Sequence, residues 1–167
     1  MDDESVKGLT AIFGLAALAA VVVIGGIVAA NNAAALKENI ALLNDGRAVE
    51  IHTSVADCAL KHPLEDCQKS FDIATGVAKG LGTSISFNDK AKCEEVHGFC
   101  NTNVHRYMIY HKVGKGGFYT HHTRTDYTPN MVGWECDAHN LQLSVPLYNS
   151  PNVNVAVRND GAAFNLS

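Results

Sequence analysis

The chain is 167 residues long and carries 13 Lys and Arg against 17 Asp and Glu, a formal net charge of −4. Its pI is near 6.0, with no basic patch, which excludes nucleic acid as an expected partner. The residues that carry chemistry are five cysteines and eight histidines.

The chain opens on an acidic pentapeptide, MDDES, and has no charged residue from Gly8 to Leu36. Residues 15–28 (LAALAAVVVIGGIV) are wholly apolar. A bilayer core needs about 20 such residues, so the run predicts a transmembrane helix. A cleaved secretory signal is disfavoured: the leading segment is acidic, with Lys7 its single basic residue, and the run is long. An Ala-x-Ala site does stand at Ala33–Ala35. Gly14, Ala16, Ala20, Gly25, Gly26 and Ala30 form a small-residue set suited to close helix packing in lipid. Leu36, Ile40 and Leu43 then recur at helical spacing, with Lys37, Glu38 and Asn39 between them. This amphipathic extension ends at Asn44-Asp45-Gly46 and needs a partner, either the rest of the chain or a neighbouring subunit. The first unit is thus residues 1–46.

The second unit, 47–167, reads as α+β: two short helices, then a small antiparallel sheet. Residues 55–81 are helical in pattern, with Pro63 suited to a first turn and Cys67, Phe71, Ala74, Ala78 and Leu81 on one face. A second helix fits 89–97, with Asn88 as cap and Gly98 beyond its end. From Val104 the chain becomes β-branched and aromatic (VHRYMIYHKV, then FYTHHTRTDYT), which predicts a hairpin turning at Gly114–Gly117. Thr128-Pro129-Asn130 ends it. Leu141, Leu143, Val145 and Leu147 alternate, as do Val153, Val155 and Val157, giving two further strands. Pro146 points to an edge or irregular position for the first of them.

All five cysteines follow the apolar run. Cys58, Cys67, Cys93 and Cys100 cluster at gaps of eight and six residues, which fits zinc fingers poorly and disulfides well. Three pairings are open. Cys136 is left over, either free and buried or bridged to another chain. Disulfides imply an oxidising compartment, so this unit is expected outside the cytoplasm, in a bacterial periplasm or on a cell or virion surface.

Ala56-Asp57-Cys58, Pro63, Cys67 and Phe71 resemble a bacterial envelope family that carries domain of unknown function 1190. Lys92-Cys93-Glu94-Glu95, Gly98-Phe99-Cys100, Pro146-Leu147-Tyr148-Asn149-Ser150 and Asp160-Gly161 are similar to it as well. The resemblance covers roughly residues 55–100 and 145–164. It implies a membrane-tethered, cysteine-stapled domain outside the cytoplasm, with no known activity. Unlike the lipoprotein-like members, this chain has no cysteine before Cys58 to take a lipid, and the His-rich hairpin is outside the shared pattern.

The histidines raise a metal site. His105 and His111 share a strand face, and His122 lies opposite them across the hairpin. No HxH or HxxxH pair supports it, so the expectation is no metal and no cofactor. Cys136 with His139 lacks any nucleophile motif. Gly114-Lys115-Gly116-Gly117 lacks the full phosphate-loop pattern, and the terminal Asn165-Leu166-Ser167 sequon carries little weight. The expected function is therefore non-enzymatic: a single-pass, membrane-anchored structural or interaction protein. It would contact membrane lipid and pack as a homo-oligomer or with partner membrane subunits, in an envelope assembly, a filament or a membrane-containing virion. The alternative is a metal-binding module or enzyme built on the hairpin.

Overall fold

The structure is a computed structural model that describes residues 29–80 and 82–166. Helix α1 (29–44) leads into β1 (Val49–His52), α2 (Val55–Cys58), α3 (Leu64–Lys79) and α4 (Lys90–His97). The long strands β2 (Cys100–Val113) and β3 (Gly116–Pro129) follow, then β4 (Met131–Asp137), β5 (Asn140–Asn149), β6 (Val155–Arg158) and β7 (Ala163–Asn165). The strands form two antiparallel sheets: a five-stranded body sheet in the order β1-β4-β5-β6-β7, and a separate two-stranded sheet, β2-β3.

The expected transmembrane helix is corrected here. Among the described residues no helix is long and apolar enough to cross a membrane. Helix α1 carries Asn31, Asn32, Lys37, Glu38 and Asn39, and its apolar stripe is used inside the protein. Leu36, Ile40 and Leu43 are buried with Leu143 and Val145 of β5, and Val77 of α3 packs against them. The partner that this stripe requires is thus the chain's own sheet. Ala30 is exposed; Gly14, Ala16, Ala20, Gly25 and Gly26, with the apolar run 8–28, lie outside the described residues. The expectation of two short helices and one sheet also gives way, among the described residues, to four helices and two sheets.

Local chemistry explains the elements. Ser54 caps α2 by accepting from the Asp57 N–H, and Asp89, rather than Asn88, caps α4 through Ala91 and Lys92. Helix α3 starts after Pro63 with Glu65 and Asp66 in its first turn, where the helix dipole favours anions. Gly98 ends α4 at φ 73, and a Cβ there would lie 2.8 Å from the Pro151 backbone, so only glycine fits. In the β2-β3 turn Gly114 has φ 59 while Lys115 is not left-handed, the pattern of a type II′ hairpin.

The second core joins α2 and α3 to β4: Cys58, Cys67, Ala74, Trp134 and Cys136 are buried together, with Phe71 edge-on to Trp134. A polar chain runs through it. Trp134 Nε1 donates to Ser70 Oγ at 2.8 Å, Ser70 and Ser144 hydroxyls meet at 2.7 Å, and Ser144 donates to the Leu141 carbonyl at 2.5 Å. Indole only donates and a carbonyl only accepts, so Ser70 must donate to Ser144. Strand β4 is buried from Gly133 to Asp137 despite two carboxylates. Glu135 accepts from Arg158 at 2.6 Å and Asp137 from Arg47 at 2.7 Å. Arg158 also binds Asp160 and, at 2.8 Å, Asn44 Oδ1, which ties the end of α1 to the sheet. Pro146 sits on β5, the central strand, but the β5-β6 ladder covers only Leu147 to Asn149, so β5 has one neighbour at the proline.

Candidate functional site

The four clustered cysteines form two local staples. Cys58–Cys67 joins α2 to α3, and Cys93–Cys100 joins α4 to the first residue of β2. Cys136 is free and fully buried. Burial, with the Glu50 charge next in weight, pushes its thiol up to about 12, so it stays protonated. His139 is exposed on the β4-β5 turn. Cys136 is therefore neither an activated nucleophile nor within reach of another chain.

Two regions remain as candidates. The first is the β2-β3 hairpin, whose strands of 14 residues pair without a register break from Cys100↔Pro129 to Val113↔Gly116. Its base is anchored by the Cys93–Cys100 staple and by the paired backbones of Phe87 and Tyr127. Beyond Asn103 almost nothing covers it: residues 104–113 are all exposed. Cross-strand ring pairs hold it instead, with Tyr107 stacked on His122, Tyr110 against Tyr119 and His111 stacked on Phe118. Val104, Met108, Tyr110, Val113, Phe118 and Tyr119 are exposed apolar side chains on it.

The hairpin histidines do not assemble a ligand set. His111 and His122 both bond the Thr120 hydroxyl, at 2.7 and 2.8 Å, while His105 pairs with Asp126 at 3.2 Å. Among the described residues the group of three donors within ligand reach lies elsewhere, at Glu50, His52 and His62.

This second region is built by β1. Alternation puts Glu50 and His52 on one face of the strand, opposite Cys136 and Trp134 of β4. The close approach of the two strands depends on Gly133, where a Cβ would lie 2.6 Å from the His52 carbonyl oxygen. His62 arrives from the loop that the Cys58–Cys67 staple closes, with its N–H on the Cys58 carbonyl. Glu50 Oε2 lies 2.8 Å from His62 Nε2 and 3.2 Å from His52 Nε2, and Lys61 Nζ lies 3.7 Å from the other carboxylate oxygen. His52 Nδ1 faces Asp57 Oδ2 at 3.6 Å. The His52 side chain is 2% exposed, against 22% for Glu50 and 19% for His62. The hydrogen bond from His62, aided by the Lys61 charge and opposed by partial burial, holds the Glu50 carboxyl below its ordinary 4.5. An open cleft of about 230 Å³ runs beside His62 past Asp66 and His139.

The sequence signal for this group is the Glu50-Ile51-His52 pair, invisible to a search for His-to-His spacing. Residues 49–52 also carry no strand signature beyond their alternation. No family model matches the chain, and neither a curated protein nor a solved structure does.

Proposed function

We propose that the chain is a non-enzymatic interaction protein of an oxidising compartment, a stapled head domain that assembles with further copies of itself through the β2-β3 hairpin. The observation that carries this reading is the hairpin's exposure on both faces. A lone two-stranded ribbon is marginally stable in water, and contiguous exposed apolar side chains mark an interaction surface. Charge favours a second copy as the occupant. The hairpin segment carries Arg106, Lys112, Lys115 and Arg124 against Asp126, a net +3 within a chain of net −4, which leaves −7 on the remainder. Exposed Asp66 and Asp72 on α3, beside the Glu65–Lys69 pair, offer such a partner face. Two disulfides support a place outside the cytoplasm.

Sedimentation of the full-length chain in detergent tests the assembly. The expected result is self-association that weakens with salt and is lost in Tyr110→Ala/Tyr119→Ala, with the melting temperature nearly kept. A wild-type chain that is strictly monomeric, or a variant that associates equally well, overturns it. Thiol counting on protein denatured without reductant tests the compartment: one free thiol is expected, and five would refute it.

A further inference from the structure

We infer that Glu50, His52 and His62 bind a divalent transition-metal ion, Zn²⁺ before others. Two imidazole nitrogens and one carboxylate oxygen are a donor set that zinc takes with a further position left to water. The orphaned nitrogen of His52 points to the ion. His52 Nε2 is buried and, among the described residues, has no hydrogen-bond partner, although it lies 3.2 Å from Glu50 Oε2. Buried polar atoms are ordinarily satisfied. The other ring nitrogen, Nδ1, lies 3.6 Å from Asp57 Oδ2, an electrostatic contact too long for a hydrogen bond. A cation between Nε2 and Glu50 Oε2 gives both atoms a partner.

The surroundings match a metal site. Asp57 stands behind His52 at 3.6 Å, where a small approach makes it the carboxylate partner that metal-bound histidines usually have. Ligand atoms around a tetrahedral zinc stand about 3.3 Å apart at ordinary bond lengths. The Glu50 oxygen is already 3.2 Å from His52, and the 2.8 Å to His62 must open by about half an ångström. His62 is the ligand free to make that move, because it is carried on a loop and is partly exposed. Lys61 stays on the second Glu50 oxygen, so the carboxylate binds through Oε2 alone. The cleft that His62 lines opens this one ligand to solvent. The Cys58–Cys67 staple closes the His62 loop, so the disulfide also presets the third ligand.

The test is calorimetric titration of the chelator-stripped full-length chain with Zn²⁺, with the visible spectrum of the Co²⁺ form as a second readout. The expected result is one ion per chain, a higher melting temperature with Zn²⁺, and intense Co²⁺ bands of a low-coordinate site. His62→Gln and Glu50→Gln weaken binding by about 100-fold or more, and Asp57→Asn by about 10–100-fold. His111→Gln/His122→Gln leaves it unchanged. His52 is in the core, so the partly exposed His62 gives the decisive variant, its fold checked by circular dichroism. Absence of stoichiometric uptake by the wild type overturns the site. So does uptake that survives His62→Gln or vanishes with the hairpin variant.

Discussion

Strands β2 and β5 both carry several large apolar side chains, yet β5 is buried from Leu143 to Tyr148 and β2 is exposed from Val104 to Val113. The difference lies in their neighbours. Helices α1 and α3 cover β5, and β4 and β6 flank it. Strand β2 has β3 and, at its base, α4. Burial is thus a property of what packs against a strand rather than of its own letters. The body gains stability from cores, staples and buried ion pairs. Beyond its anchored base the hairpin has ring pairs, backbone hydrogen bonds and a few side-chain pairs at its surface.

Changes in the body should accordingly cost far more than changes in the arm. Reduction of both disulfides has the largest expected effect. Each closes a short loop, with separations of 9 and 7 residues, worth about 2.5 kcal/mol apiece and about 5 kcal/mol together. Urea unfolding with and without reductant reads this directly. Arg158→Leu comes next. It strands Glu135 in the core and cuts the tie to Asn44, at about 3–5 kcal/mol. Burial already raises the Glu135 carboxyl against the pull of Arg158, so the variant should take up a proton there.

In the arm, Tyr110→Ala should cost about 0.5–1 kcal/mol in a thermal melt, although it removes a whole aromatic side chain. A loss as large as that of Arg158→Leu would show that the hairpin belongs to the cooperative core. Acid gives a further contrast. Glu50 and Asp137 are both held below their ordinary values, Glu50 chiefly by His62 and Asp137 chiefly by Arg47. A depressed carboxyl stabilises the fold above its unfolded value, and that stability is lost as pH falls through the folded one. Melting temperature should therefore drop between neutral pH and about pH 3, and less steeply in Glu50→Gln. At the small end, His111→Gln with His122→Gln should stay within about 0.5 kcal/mol of wild type, since their shared partner Thr120 is at the surface.

The same contrast explains what was legible. The hairpin, its glycine turn and α4 were readable because each is a local pattern within about 30 residues; the cysteines were readable as disulfides, but their pairing was not. Strand β4 was not. MVGWECD looks unlike a buried strand because Glu135 and Asp137 are tolerated there by Arg158 and Arg47, the latter 90 residues distant. Strand β1 is four residues long and gains its meaning from β4. The metal candidate failed to show for the same reason: Glu50 and His52 depend on that missed strand, and His62 on a loop whose closure needs a particular cysteine pairing.

Local residue chemistry was enough to decide the hairpin, the disulfide-bonded character of the cysteine cluster and the amphipathic stripe of α1. Each follows from backbone preferences and spacing within a few turns of chain. Tertiary structure alone decided that the α1 stripe packs on β5, that two carboxylates are buried on β4, and that Glu50, His52 and His62 meet. Such meetings depend on contacts between residues far apart in the chain, and no short window of sequence contains both partners.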